Sequence, residues 1–366
     1  MGKRCSMIAA ICLLGYLTLA TGGRAAETKP TWTLSVNLRG QQFEGFPLEA
    51  TATHVALLCR DGQLVEFSPN EVSDFKASSP NFRPYSSSEM RAELLREFSP
   101  KLEVTGTGHY LVAHPPGQGD KWANRFEELY RSMAHYFGVR GFRMKDPEFP
   151  LVAIVWNSRE DFLRYAAKTG DRVPPGVIGY YSPRTNRITL YDMAGGNQSS
   201  GAWQQNASTI VHEATHQTAF NTGLHRRFAE TPTWVIEGLG TLFEPRGVWN
   251  SQDYPQQEDR INRERLDYFK SYQKAGRPPL GIMQIIADDR LFQTNPLAAY
   301  AEAWALTFYL TERMPQKYSE YLAKMTALKP FERYRKDRRV ADFQAVFGSD
   351  VRMLDANFLR FINDLK

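Results

Sequence analysis

Cysteine is almost missing from this chain: Cys5, Cys12 and Cys59 are the whole set in 366 residues. The first two fall in an apolar leader, so a processed chain keeps Cys59 alone and forms no intrachain disulfide. No Cys/His cluster has structural-zinc spacing, no glycine-rich loop is built to cradle phosphate, and no internal repeat is present. Charge of one sign is also scarce. The formal net charge of +5 falls to +2 when residues 1–26, with Lys3, Arg4 and Arg24 and no acid, are removed. Nothing in that balance calls for a nucleic-acid partner. The one dense basic run, Arg333 to Arg339 interrupted by Asp337, reads as a solvated helix face or turn. Stability therefore has to come from core burial, and 42% hydrophobic content over this length supplies it for more than one domain.

Long apolar runs are confined to the N-terminus. Lys3 and Arg4 precede a stretch from Ser6 to Ala20, and small residues follow through Gly22, Gly23, Ala25 and Ala26. The stretch is shorter than the ~18–20 residues a membrane span needs, so residues 1–26 read as a cleaved export signal. The expected destination is exported: secreted, periplasmic or associated with the cell envelope. No membrane span remains after cleavage.

What is present changes character along the chain. Residues 27–78 are strand-like: Trp32–Val36 alternates, Gln42–Pro47 reads as a turn, and Arg60-Asp61-Gly62 joins two apolar runs as a hairpin. That hairpin is similar to those of SH3-like modules, which implies a small barrel-like domain; a plain β-rich spacer is the alternative. Residues 79–107, rich in Ser, Pro and Asn at their start, read as a linker with a short helix over Ser88–Phe98. Residues 108–366 form the expected catalytic region. Apolar positions 122, 126, 129, 130, 133 and 137 have helical spacing, and Pro150–Trp156 is a buried strand. Gly195–Gln205 and Gln252–Gly281 read as loop-rich or loosely helical, and residues 295–366 as a helical subdomain. The expected class is α+β.

The chemistry concentrates in His212-Glu213-Ala214-Thr215-His216. Two histidines four apart on a helix share a face and can reach one metal ion, while the glutamate between them can take a proton from an activated water. The segment Ala207–Phe220 contains no Pro or Gly, and Asn206 or Ser208 is a candidate cap. A second helix, with Thr231 as N-cap and Pro232 as first residue, carries Glu237 among Trp234, Val235, Leu239 and Leu242. A bare carboxylate there is costly to bury, and a cation opposite it removes that cost. His212, His216 and Glu237 are thus the candidate Zn2+ ligands, with Glu213 as general base. Two imidazoles on a satisfied face, and a glutamate reaching solvent, are the bland alternatives.

The segments His212–Gln217, Asn221–His225 and Pro232–Glu244 resemble the gluzincin superfamily, and in particular a family of exported peptidase-MA-like metalloproteases. The likeness runs from about Gly108 through Ala299–Leu306. It implies a mixed sheet, a peptide or protein substrate, and zinc held by His212, His216 and Glu237. It also implies that an edge strand, here in the hairpin of Val177–Tyr181 and Arg187–Tyr191, pairs with extended substrate. A downstream Tyr or His stabilising the oxyanion makes Tyr300 the candidate, with His225 second. Where some relatives carry an acidic residue four places after the ligand glutamate, this chain has Thr241, and Glu244 is the substitute one turn on. A silent zinc-binding protein, or an envelope-associated interaction protein, is the alternative function.

Overall fold

The computed structural model describes residues 32–193 and 201–366. The export signal read over residues 1–26 lies outside them. Two compact units are present: one comprises the chain up to Glu93 with Glu148–Pro150 and Arg184–Asn186, the other comprises Leu94–Pro147, Leu151–Pro183 and Arg187–Lys366.

In the first unit, β1 (Thr33–Leu38), β2 (Gln41–Ala50), β3 (Val55–Cys59), β4 (Leu64–Phe67) and β5 (Val72–Ser79) form an antiparallel sheet in the order β4-β3-β2-β1-β5. Leu34, Val36, Val55, Leu57 and Phe67 are its core. The Arg60–Gly62 hairpin is where the sequence puts it: the Gly62 N–H returns to the Cys59 carbonyl at 2.9 Å. The expected turn at Gln42–Pro47 is instead strand. Chain reversal occurs earlier, at Arg39-Gly40, both with positive φ (53° and 83°), which a two-residue hairpin of this kind requires. Pro47 is tolerated because the β1 ladder ends at Gly45. Strands β4 and β5 are the two edges and do not pair with each other, so the sheet is open rather than a closed barrel.

Helix α1 (Ser87–Phe98) follows, boxed at its start by Ser86 and Glu89, which exchange side-chain bonds with each other's N–H groups. The second unit is built on β6 (Glu103–Gly106), β7 (Tyr110–His114), β8 (Leu151–Trp156), β9 (Gly179–Ser182) and β10 (Arg187–Tyr191), in the order β6-β7-β8-β10-β9. Strands β7, β8 and β10 are parallel, and the two edge strands run antiparallel to their neighbours. Every residue of β8 is buried, as a central strand covered on both faces demands. Helix α2 (Gly119–Gly138) crosses from β7 to β8 and buries Trp122, Phe126, Leu129, Tyr130, Met133 and Phe137, the positions of its apolar periodicity. Helix α3 (Arg159–Thr169) is capped by Ser158.

The remainder is helical: α4 (Gly201–Asn221), α5 (Thr233–Phe243), α6 (Arg246–Trp249), α7 (Arg263–Lys274), α8 (Ile282–Ala287), α9 (Arg290–Thr294), α10 (Pro296–Arg313), α11 (Pro315–Thr326), α12 (Lys336–Phe347) and α13 (Val351–Asp364). The architecture is α+β, a sheet-only front followed by a mixed sheet and a helical C-terminal region. Helix α10 is its axle, buried on nearly every side from Ala298 to Thr311 and packed against α5 and α7. Helix α7 takes the helical side of a stretch read as loop-rich or loosely helical; only Leu266 and Phe269 of its twelve residues are buried, too few for a clear period. No helix among the described residues is long and apolar enough to cross a membrane.

Candidate metal centre

Helix α4 begins at Gly201, ahead of Asn206 and Ser208, so neither caps it. Side chains fix it on the sheet: Gln217 Nε2 donates to the Val152 carbonyl of β8 at 2.9 Å, and Thr218 meets the Tyr110 hydroxyl at 3.3 Å. With those residues turned to the sheet, His212 and His216 share the face toward α5. That helix starts at Thr233 rather than Pro232, which stays extended at φ −55°, ψ 135°. Thr231 does not cap it. Asp289, from the turn before α9, accepts the Thr233 N–H at 3.0 Å instead.

Two glycines let α5 close on its neighbours. A Cβ at Gly238 would stand 2.8 Å from the Ala303 carbonyl of α10, and one at Gly240 would stand 2.7 Å from Cε1 of His212. Both contacts are closer than real Cβ atoms allow, so Glu237-Gly238-Leu239-Gly240 is what brings the carboxylate to the imidazoles.

The result is a tight convergence. His212 Nε2 and His216 Nε2 face each other at 2.9 Å, and Glu237 Oε2 is 3.3 Å from the first and 3.7 Å from the second. Ligands held about 2.0–2.1 Å from a tetrahedral cation stand roughly 3.3 Å apart, and these separations bracket that figure. Glu237 Oε2 is buried with no hydrogen-bond partner among the described residues. Burial pushes the Glu237 carboxyl up, but the imidazoles, His216 foremost, outweigh it and hold it well below the usual range. Burial likewise works against protonating His212, and the carboxylates of Glu237, Glu244 and Glu213 raise it well above the ordinary value. Two ring nitrogens and a carboxylate oxygen with an orphaned lone pair are a donor set that fits a divalent cation. Among the described residues, these three are the group of such donors within 4.8 Å of one another.

Two further side chains hold His212 in place. His212 Nδ1 lies 2.9 Å from Glu244 Oε1, and Asn262 Nδ2 donates to Glu244 Oε2 at 2.7 Å. The carboxylate holds the proton on Nδ1, which would leave Nε2 to offer its lone pair to a cation that displaced the proton there. Thr241 is not part of this shell; its hydroxyl returns to the Glu237 carbonyl at 2.7 Å.

Glu213 projects to the other side, toward β9. Its Oε2 accepts the Tyr181 N–H at 2.7 Å, so an amide of an edge strand holds the carboxylate. Burial raises the Glu213 carboxyl above its ordinary value, with His212 and His216 opposing. Tyr300, on α10, feels the charge of Glu237 and, less, of Glu213. Burial first, then the charges of Glu237 and Glu213, raise its phenol and keep it protonated. Its ring packs edge-on to Phe292 at 5.6 Å, and the Arg265 guanidinium lies 5.5 Å from it.

His225 is wholly buried beyond the end of α4. Sequence reasoning gave it only a secondary role and did not see the contacts of Tyr181, Asn262 or Asp289. Each of these acts through a partner far along the chain, which spacing does not reveal.

Residues 206–332 match the family described as a protein of unknown function (DUF1570). No curated protein matches the sequence. Among solved structures, the chain is similar to an M1 zinc metallopeptidase mutant from Deinococcus radiodurans bound to a Tyr-Ser-Ala substrate, at 12% identity and a TM-score of 0.38, over 71% of this chain and 50% of that one. A two-domain M1 zinc metallopeptidase mutant bound to L-arginine is similar at 12% identity and a TM-score of 0.36, over 71% of this chain and 51% of that one. The chain thus spans about half the length of these solved structures.

Proposed function

We propose that the chain is a zinc-dependent peptidase. The observation that carries this reading is the convergence of His212 Nε2, His216 Nε2 and Glu237 Oε2, with the Glu213 carboxylate near enough to feel the charge of both imidazoles. A purely structural site has no need of that fourth group. His212, His216 and Glu237 would hold the ion. Bound there, a zinc ion would supply a Lewis acid that acidifies water and polarises a scissile carbonyl.

This chain's own residues do the rest. Glu213, held at Oε2 by the Tyr181 amide, takes the water proton at Oε1 and returns it to the leaving amine. Its raised carboxyl suits both steps. Tyr300 keeps its phenolic proton and donates it as a hydrogen bond to the developing oxyanion. Extended peptide adds along the β9 edge by backbone pairing that reads little sequence, at positions other than Tyr181, whose amide is given to Glu213.

The N-terminal signal pattern supports an exported enzyme. The strand order β4-β3-β2-β1-β5, with a single 3-10 turn at Pro69–Glu71 before β5, supports an SH3-like reading of residues 27–78. Residues 79–107 then carry the connection, α1 and the edge strand β6 that already belongs to the catalytic sheet, and 108–366 the rest of the catalytic region with its helical part over 295–366.

The test is zinc content of the purified protein together with chelator-sensitive digestion of a peptide library. Glu213→Gln is expected to keep the metal and lose about 100- to 10,000-fold in kcat/KM. Unchanged hydrolysis by that variant, or a protein that takes up no zinc, sinks the reading.

A further inference from the structure

His212 and His216 are treated differently by their surroundings. The Nδ1 of His212 has Glu244, whereas the Nδ1 of His216 is buried with no hydrogen-bond partner among the described residues. A metal-ligating imidazole needs an acceptor on its far nitrogen to fix its tautomer and ring angle.

Another buried orphan lies just beyond the end of the same helix, folded back toward its last turn. His225 Nε2 likewise has no partner among the described residues, although the side chain is only 2% exposed. Its place is set by the end of α4. Gly223 takes a positive φ of 86°, and the N–H groups of Leu224 and His225 both turn back to the Ala219 carbonyl, at 3.2 and 2.9 Å. That turn folds His225 under the last helical turn, edge-on to Phe220 at 5.2 Å. Phe220 is four residues after His216, on the same helix face. The tautomer of His225 is also settled. Nδ1 faces the Leu224 carbonyl at 3.0 Å, and a carbonyl only accepts, so Nδ1 carries the proton and Nε2 offers a lone pair. Burial first, and then the charge of His216, lower His225 to about 3 and keep it neutral. Nor is His225 a further ligand, because the donors within 4.8 Å of one another belong to His212, His216 and Glu237.

We infer that His225 is the positioning residue for His216, its Nε2 lone pair accepting, across one bridging water, the proton on His216 Nδ1. One such water satisfies two buried groups that face no other partner, which is the usual role of an internal water. The inference rests on the zinc reading and deepens it: Glu244 and His225 orient the two imidazoles, one directly and one through solvent.

The experiment uses the full protein with zinc and cobalt as probes. Zinc affinity is measured by competition with a chromophoric chelator for wild type, His225→Phe and His225→Gln. Phe fills the volume without an acceptor; Gln restores an acceptor near Nε2. The expected result is a loss of about 10- to 100-fold for His225→Phe, as for other outer-shell partners, with recovery toward wild type in His225→Gln. The visible spectrum of the cobalt-loaded protein shifts in His225→Phe alone. In wild type, selectively 15N-histidine-labelled and zinc-loaded, the His216 Nδ1 proton resonance is slowly exchanging. Wild-type affinity and an unshifted cobalt spectrum in His225→Phe overturn the inference while leaving the zinc site standing. A His216 Nδ1 without a protected proton overturns it even if the Phe variant does not fold. Failure of wild type to bind zinc removes both readings.

Discussion

Gly240 is where a single missing side chain matters most for the centre. Its Cβ would meet a ring that is already held from behind by Glu244 and so has no easy retreat. Gly240→Ala is therefore expected to weaken zinc binding in chelator competition as well as to cost about 1–3 kcal/mol of stability. Gly238→Ala is the control. Its Cβ meets the Ala303 carbonyl and Thr307, away from the imidazoles, so stability should fall while the folded protein binds zinc normally. Equal zinc affinity in both variants would count against α5 being seated on His212 in this way. What the sequence displays at this level follows from locality. His212, Glu213 and His216 are legible because helix geometry alone aligns them, and Glu237 because a carboxylate on an apolar helix needs an explanation. The two glycines look like poor helix formers until the ring and carbonyl they make room for are known.

Helices and turns are held by side chains that come from elsewhere in the chain. Arg277, in the loop after α7, is enclosed by Glu302 of α10 and Asp355 of α13, with closest contacts of 2.6 and 2.7 Å. Removing the cation leaves two buried carboxylates facing each other, so Arg277→Met should lose about 3–5 kcal/mol in denaturant unfolding. A loss below 1 kcal/mol would mean the carboxylates find another neutralising partner. The β6–β7 turn is tied by one acid in a similar way. Glu127 of α2 accepts from the Thr107 hydroxyl and the His109 N–H, both at 2.9 Å, and its Oε1 lies 2.9 Å from His109 Nδ1. Burial pushes its carboxyl up, but these bonds, His109 first, outweigh burial and lower it from 4.5. A depressed carboxyl adds stability that is fully present above its unfolded value and drains away as pH falls below it. The stability gap between wild type and Glu127→Gln should thus be widest near neutral pH and shrink below 4.5, read from urea midpoints across pH. A gap independent of pH would refute it. A long-range tie also explains one misread element, the N-cap of α5, which comes from Asp289. The β1–β2 reversal is local: it sits on the positive-φ pair Arg39-Gly40 rather than on the more turn-like Pro47.

The α+β class was legible because composition changes from β-branched alternation at the front to long helical periods at the back. The parallel pairing of β7, β8 and β10 was not, since strand order is set by which crossovers pack and not by any one segment. One core cluster runs from Tyr110 and Leu151 of the sheet through α5 and α10 to Phe358 and Ile362 of α13. That extent decides how metal and folding are coupled. A small domain stapled by zinc unfolds when the ion is removed; here the ion would join α4 to α5 inside a unit whose core is already continuous around them. Metal removal is accordingly expected to leave a folded protein with a cooperative melt, and loading to raise the melting temperature. Binding to the native state alone adds about 4 kcal/mol when free zinc is 1,000 times the dissociation constant. The rise should grow with zinc concentration in wild type and be largely lost in Glu237→Gln, which keeps the shape of the side chain but gives up its charge. Calorimetric melts with chelator and with graded zinc measure both. An apo protein without a transition would show that the ion is needed for folding itself, and a melting temperature indifferent to zinc would show that the cluster of His212, His216 and Glu237 does not hold it.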